Sequence, residues 1–420
     1  MRLTEEESAL LKGDQGPAAQ KAMQIVVALG EIYGSAELVP VGSAQISGVS
    51  YKNLGDAGLQ FLEEWAALGA RVRVPAFMNP AGMDLLRWRD MGISPEFARR
   101  QQRIVDALSA MGVERTCTCT PYLVGHTPRR EEHLAWSESS AVSFANSVLG
   151  AYSNREGGPS ALAAAITGRT AAYGLHLPGG RRPTHVIDVR CALNDEADFG
   201  ALGYIVGRQI ADGVPYFGLR GQASGRRHAG PTQEHLMALG AAMAASGAVA
   251  LYHMEGVTPE AGAAARSMEA GGSARNQDVA TGLPVLSIES LDAGYAALNS
   301  PLDAIDFVSL GCPHSTLADI ERVAALLRGH RVKAALWVTT SRAVRAEAER
   351  RGLVAVIEAS GGNVFADTCL VVAPVEQLGF RAMATNSAKA AFYAPVHSGL
   401  ERRFGSLERC VEAAIKGRWA

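Results

Sequence analysis

The sequence lacks the features that mark several large classes of protein. Its 420 residues carry a net charge of only −2, which argues against nucleic acid or an acidic membrane surface as the main partner. Six cysteines are far too few for a disulfide scaffold in a chain of this length. The longest uncharged run, residues 236–253, is too short and too weakly apolar to cross a bilayer. We therefore expect neither a nucleic-acid partner nor a membrane partner.

Familiar targeting and catalytic motifs are missing as well. The N-terminus is acidic and has no apolar segment like that of a signal peptide, which predicts a cytoplasmic protein with reduced thiols. The chain contains no H-E-x-x-H, G-x-S-x-G or Walker A motif, and no paired C-x-x-C motifs that would indicate structural zinc. A nucleotide-dependent reaction therefore has no support from motifs.

The chain does contain a regular alternation of helical and strand-like segments. Hydrophobic residues make up 48% and charged residues 20%, as in an ordinary globular protein, and the length suits two or three domains. The predicted strands are Arg71–Met78, Val186–Val189, Val249–Tyr252, Val285–Ile288, Asp306–Leu310 and Ala334–Val338. This pattern favours the α/β class, with helices layered on both faces of largely parallel sheets. Composition places a weak boundary between regions 1–180 and 181–420.

Three cysteine segments are candidates for chemistry. Cys117 and Cys119 form a C-x-C pair, which in an extended segment puts both thiols on one face, so spacing does not choose between them. Cys312 follows a predicted strand and precedes a helix, whose dipole would favour a thiolate. Cys369 lies beside a Val-rich strand. Each cysteine taken alone is better explained as a small buried hydrophobe. Three in loop or strand-end positions suit a site that folding assembles.

Five polar segments add further candidates. They are Gly48–Lys52, Asn79–Asp84, Trp136–Ser140, Asn154–Gly158 and Thr385–Lys389. Amides of the first segment and the Ser50 hydroxyl could hold a carboxylate or phosphate, and Arg155 could grip an anion with two hydrogen bonds. Helix capping explains Ser50 equally well, and a solvated surface loop is the commoner setting for such an arginine.

Taken together, these segments resemble the large, catalytic part of aconitase X, a branch of the aconitase superfamily. The match runs through most of the chain, from Gly48-Val-Ser-Tyr to the Phe-Tyr pair at 392–393. Its specific pieces are residues 79–84, 119–123, 136–150, 154–162, 253–260, 311–314 and 367–369. So many matches in order are specific, although no single one would be. The resemblance implies aconitase-like α/β catalytic domains that lack the swivel domain.

The resemblance also implies an iron–sulfur hydro-lyase. In that reading Cys119, Cys312 and Cys369 hold the cluster and leave one iron without a protein thiolate, so that it can act as a Lewis acid on a substrate hydroxyl. A 4Fe–4S cluster is preferred, with a 2Fe–2S cluster or a single iron as alternatives. The choice of Cys119 over Cys117 rests on the resemblance alone.

Dehydration also needs a base, which in the superfamily comes from a small swivelling domain. No such β-rich unit is found here, so we expect a small second subunit to supply it. The resemblance makes Ser50, Glu138 and Lys389 candidates for catalysis and for substrate binding. The further candidates for binding a small anionic hydroxy acid are Gly48, Val49, Asn79, Pro80, Ser139 and Arg155. Gln45 stands where many relatives have a histidine. If that histidine transfers protons in the relatives, then either Gln45 only forms hydrogen bonds here or the substrate of this chain differs.

Two reactions are associated with the family. One is dehydration of (R)-5-phosphomevalonate to trans-anhydromevalonate 5-phosphate in a mevalonate pathway, and the other is dehydration of cis-3-hydroxy-L-proline. Residues 79–83, 117–121 and 154–158 look more like the two-subunit, phosphomevalonate-type enzymes, which puts that substrate first. A non-catalytic or regulatory iron–sulfur protein is the alternative from another functional class.

Overall fold

The computed structural model describes residues 1–221, 230–271 and 282–419. The helices are α1 Glu5–Lys12, α2 Pro17–Ile32, α3 Tyr51–Ala67, α4 Pro95–Ala110, α5 Ser139–Phe144, α6 Gly158–Thr167, α7 Glu196–Ile210, α8 Gln233–Gly247, α9 Ala261–Gly271, α10 Asp292–Ala297, α11 Leu317–Leu327, α12 Arg342–Arg350, α13 Leu353–Ala359, α14 Ala388–Ser398 and α15 Leu407–Lys416. The strands are β1 Leu38–Pro40, β2 Ser43–Ile46, β3 Ala76–Met78, β4 Leu134–Trp136, β5 Arg169–Ala171, β6 His185–Val189, β7 Pro215–Leu219, β8 His253–Met254, β9 Val285–Ile288, β10 Phe307–Leu310, β11 Ala335–Thr340, β12 Asn363–Ala366, β13 Ala382–Thr385 and β14 Glu401–Phe404. None of the helices in these ranges is long and apolar enough to cross a membrane.

The strands form parallel sheets, as the sequence predicts for an α/β protein. One sheet has the order β3-β2-β4, a second β8-β7-β6-β9, and a third β12-β11-β10-β13-β14. Every pairing within these three sheets is parallel, whereas the separate β1-β5 pair is antiparallel. The prediction of largely parallel sheets is therefore confirmed.

The two central strands of the third sheet, β10 and β11, are buried on both faces, which explains their mostly apolar sequences. Val308 and Leu310 point to a core formed with α11, α13 and α15. Phe307 and Trp337 point the other way and pack against residues 83–98, which come from the N-terminal part of the chain. This second core fixes the first sheet relative to the third and so brings their strand ends together.

Two predicted strands are wrong in extent or place. Only Ala76–Met78 of the predicted strand Arg71–Met78 pairs in a sheet, because the N–H groups of Val72 and Arg73 bond instead to Met111 and Ala165. The predicted strand Val249–Tyr252 is irregular, and the pairing residues are those of β8. Nearby side chains form hydrogen bonds with the backbone of this segment: Asn146 donates to the Ala250 carbonyl, and Ser147 accepts from the Tyr252 N–H.

Gly311 ends β10 in a conformation that only glycine tolerates. Its φ is +100°, and a Cβ atom there would lie 2.0 Å from the main-chain oxygen of Thr339. We expect Gly311→Ala to lower the free energy of unfolding by about 2–4 kcal/mol, because it adds both backbone strain and overlap. The measurement is urea denaturation of the two proteins.

Gly352→Ala is the matched control. Gly352 also has a positive φ, +73°, but nothing lies within 4 Å of the added Cβ. Backbone strain alone should lower the free energy of unfolding of Gly352→Ala by about 1 kcal/mol. Equal losses in the two variants would contradict the overlap argument.

Candidate functional site

The candidate site lies where the carboxyl ends of two parallel sheets face each other. Segments that follow β2, β3 and β4 come from one sheet, and segments that follow β10, β12 and β13 come from the other. An isolated bridge between Ala81 and Thr368 joins the two edges, and the Ala81 N–H donates to the Asp367 carbonyl at 2.7 Å. Ligands of open α/β sheets bind at such strand ends.

An ion cluster reinforces this junction. Arg342 donates to Asp84 at 2.7 Å and also to Asp367. Asp84 is fully buried and accepts in addition from the Ala366 N–H at 2.8 Å. Breaking such a buried network costs several kcal/mol, so the loop before Cys369 is held firmly against the loop after β3.

Three of the four cysteines discussed above come together at the junction. Cys312 and Cys369 are close neighbours, and their interaction lowers the pKa of Cys312. The Cys119 sulfur accepts from the N–H of His314 at 3.2 Å and lies close enough to Cys369 for their charges to interact. All three cysteines are buried. They are the residues that the resemblance assigned to a cluster.

Cys117 does not share this environment. Its φ is +43°, so the chain is not extended there and the expectation that both C-x-C thiols share a face is wrong. Its fully buried side chain packs in the N-terminal core, where burial raises its pKa well above the ordinary value. The structure therefore separates two thiols that spacing left equivalent.

The expected helix at Cys312 is also displaced. Helix α11 begins only at Leu317 and is capped by Thr316, so its dipole does not act directly on the Cys312 sulfur. The nearby positive charge is that of Lys389, which helps to lower the pKa of this thiol.

Glu138 and Lys389 form a largely buried ion pair beside the thiols. Their side chains are 14% and 8% exposed. Glu138 accepts further hydrogen bonds from Asn79 at 2.7 Å and from the Ser140 hydroxyl at 3.0 Å. The Lys389 ammonium reaches Ser139 at 3.3 Å. Five polar side chains from three strand ends thus form one network.

The pair keeps both partners ionised. Burial alone would raise the pKa of Glu138, but the Lys389 charge and these hydrogen bonds outweigh it and lower that pKa to about 2. Burial opposes the charge of Lys389 in the same way, and the carboxylate raises its pKa above the ordinary value. Neither group is poised to exchange a proton near neutral pH.

Four buried oxygens on the strands and loops that lead into the site have no hydrogen-bond partner among the described residues. They belong to the side chains of Gln45, Asn79, Tyr122 and Thr368. Buried polar groups are normally paired, so these oxygens indicate a place for a polar ligand. Gln45 uses its amide N–H to donate to the Thr118 carbonyl at 3.2 Å, which leaves its oxygen available.

Other predicted binding residues lie in different settings. Ser50 caps α3 and donates to the Val372 carbonyl at 2.7 Å, so its hydroxyl is already used. Gln101 binds the Val49 carbonyl at 2.8 Å. Gly48 lines an apolar cavity with Leu54, whereas Pro80 is buried beside Asn79 in the loop after β3. Arg155 is exposed and donates to the Ala244 carbonyl at 3.4 Å.

The sequence reasoning missed His314 and Thr118. His314 lies two residues after Cys312, and Thr118 lies beside Cys119. The His314 ring is 1% exposed, and burial lowers its pKa to about 4, which keeps it neutral. A histidine so near a cysteine in the sequence was the available signal.

The thiol set fits an iron–sulfur group. Thiolates are the usual protein ligands of such clusters, and the three sulfurs converge from three separate loops with a lysine charge beside them. No three His, Cys, Asp or Glu side chains of residues 1–221, 230–271 and 282–419 close around a single metal ion.

Comparisons with known proteins agree over nearly the whole chain. Profiles described as aconitase X first, second and third domain match residues 1–179, 183–281 and 305–416. The chain is 53% identical to the phosphomevalonate dehydratase large subunit of Methanothermobacter thermautotrophicus, with 94% of each chain covered. It is 46% identical to the protein of the same name in Methanocaldococcus jannaschii, with 100% of each covered.

A more distant relative and a solved structure complete the picture. The cis-3-hydroxy-L-proline dehydratase of Pseudomonas aeruginosa is 37% identical over 99% of this chain and 70% of that protein. The crystal structure of Thermococcus kodakaraensis aconitase X in its holo form superposes with a TM-score of 0.86 at 42% identity, covering 99% of this chain and 100% of that one.

Proposed function

The chain belongs to the aconitase X family and is a hydro-lyase of that family, and from this premise we propose that it dehydrates (R)-5-phosphomevalonate to trans-anhydromevalonate 5-phosphate. One observation carries the choice of substrate. Five relatives named phosphomevalonate dehydratase large subunit are 36–53% identical, four of them at 44% or more, and this chain covers 94–100% of their length. Two relatives named cis-3-hydroxy-L-proline dehydratase are 34–37% identical, and this chain covers only 69–70% of their length. The resemblance seen in the sequence is confirmed, and hydroxyproline stays the second candidate substrate.

We further infer an iron–sulfur cluster on Cys119, Cys312 and Cys369, with 4Fe–4S as the preferred type. When bound, such a cluster supplies a Lewis-acidic iron that can take the substrate hydroxyl. The convergence of three buried thiols supports this inference. Reduced thiols are needed for it, in keeping with a cytoplasmic location.

The chain's own residues supply charge and orientation. Lys389 is held as a cation between the Glu138 carboxylate and the thiols, so it can balance the negative charge of thiolates or of a substrate carboxylate. Glu138 orients both Lys389 and Asn79 and, with its pKa near 2, is a poor base. The unpaired Asn79 oxygen then accepts a hydrogen bond from the substrate.

We assign the base to a second, smaller subunit that carries the swivel domain. The relatives at 44–53% identity are named large subunits, which implies such a partner for them. Within the described part of this chain, the ionisable pair at the site is locked in its charged form, which leaves proton removal to another group.

The test is a substrate comparison with the anaerobically prepared two-subunit complex. We expect water loss from phosphomevalonate, with a kcat/KM at least tenfold above that for cis-3-hydroxy-L-proline. Chelator treatment should abolish turnover, and anaerobic reconstitution should restore it. Preference for hydroxyproline would reverse the order of the two substrates. A complex with an intact cluster and no dehydration of either compound would instead support the non-catalytic alternative.

A further inference from the structure

His314 contacts the loops of all three proposed cluster ligands. It belongs to the loop of Cys312, and its main-chain N–H donates to the Cys119 sulfur at 3.2 Å. Its ring nitrogen Nδ1 lies 3.0 Å from the hydroxyl of Thr118, the residue before Cys119. Its Nε2 lies 3.0 Å from the carbonyl oxygen of Thr368, the residue before Cys369.

The partners fix the protonation of the ring. A carbonyl oxygen can only accept, so Nε2 carries the hydrogen and donates it to Thr368. Nδ1 is then an acceptor, and the Thr118 hydroxyl donates to it. That hydroxyl accepts the Thr120 N–H at 3.1 Å and lies 3.1 Å from the Thr120 hydroxyl, which then donates to it, so that its own hydrogen goes to the imidazole. Both ring nitrogens are used, and each is directed at the loop of a different cysteine.

We propose that His314 is a positioning residue that sets the spacing of the three cluster thiols. The assignment rests on the proposed iron–sulfur function. Outer partners of this kind orient ligands, and their loss costs metal affinity even though they do not touch the metal. The N–H group on the Cys119 sulfur adds a second effect, because hydrogen bonds to ligand sulfurs tune the cluster's potential.

A matched control distinguishes positioning from general stability. His253 is also 1% exposed, and its Nε2 donates to the main-chain oxygen of Arg181 at 2.8 Å. It belongs to β8, in the second sheet, whereas the cluster thiols lie between the first and third. His253→Leu therefore removes a comparable buried hydrogen bond away from the thiols.

The experiment measures iron release from anaerobically reconstituted holoprotein to an excess of an Fe²⁺ chelator. We expect His314→Leu to release iron roughly 10- to 100-fold faster than wild type, in line with the 10- to 100-fold loss of metal affinity that follows removal of a ligand's outer partner. His314→Gln keeps an amide donor and acceptor, so its rate of iron release should lie between those of wild type and His314→Leu. His253→Leu should release iron at a rate within about twofold of wild type. This should hold even if its apoprotein loses as much melting temperature as the His314→Leu apoprotein does.

Iron release at the wild-type rate from His314→Leu would overturn the assignment, as would equally fast release from His253→Leu. If His314→Leu does not fold, Thr118→Val replaces it, since that change keeps the shape of the side chain and removes the hydroxyl that bonds Nδ1, together with its contacts to Thr120. Faster release from Thr118→Val supports positioning, and unchanged release contradicts it. A wild-type protein that takes up no iron would refute the proposed cluster itself, which separates that failure from a failure of His314 alone.

Discussion

Replacing Lys389 by methionine should reduce dehydration by about 10²- to 10³-fold, the loss typical when one preorganised electrostatic group is removed. The same change should lower the free energy of unfolding by about 3–5 kcal/mol, because the Glu138 carboxylate would be left buried without its cation. Steady-state kinetics of the two-subunit complex and urea denaturation of the large chain measure them separately.

The double variant Lys389→Met/Glu138→Gln tests whether the loss of stability comes from leaving the Glu138 charge unpaired. Once the carboxylate is neutral, the missing ammonium no longer leaves an unpaired buried charge, so most of the lost stability should return. Activity should stay low, since the cation at the site is still absent. A double variant as unstable as Lys389→Met alone would show that packing of the long side chain, and not charge pairing, is what Lys389 contributes.

The pH dependence of stability follows from the same pair. The pKa of Glu138 is lowered from 4.5 to about 2, so its pairing stabilises the folded state fully above pH 4.5. That contribution is lost as the pH falls from 4.5 towards 2, where the folded protein also takes up the proton. The stability difference between wild type and Glu138→Gln should therefore shrink across this window. A difference that does not change with pH would contradict the pairing.

The fold could be predicted where local pattern and burial agree. Residues 307–310 form a short apolar run whose two faces meet two different cores, which is the setting that such a run predicts. Residues 249–252 have the same apolar character but no strand partner. Side chains at 146 and 147 take up their backbone groups instead, and that competition cannot be read from the run itself.

The candidate site was predictable as a set of segments and not as a set of contacts. Polar residues that follow strands were identified from the sequence, and parallel sheets do place such residues at one edge. The pairing of Glu138 with Lys389 spans 251 positions and depends on how two sheets pack. For Ser50, in contrast, the sequence was sufficient: helix capping was one of its two predicted roles, and Ser50 caps α3.

Cys119→Ala and Cys117→Ala should differ sharply, although the two positions are one residue apart. Cys119 faces the other two thiols across the His314 loop, so its loss should prevent stable cluster assembly and reduce kcat/KM by at least about 10³-fold, equivalent to several kcal/mol of Lewis-acid stabilisation. Cys117 is fully buried in the N-terminal core, and its truncation should cost about 1 kcal/mol of stability and leave iron content unchanged. Iron and sulfide per chain after anaerobic reconstitution give the comparison. Iron lost from Cys117→Ala at an unchanged melting temperature would make Cys117 a ligand, because a purely apolar role in the core has no route to the cluster except through unfolding.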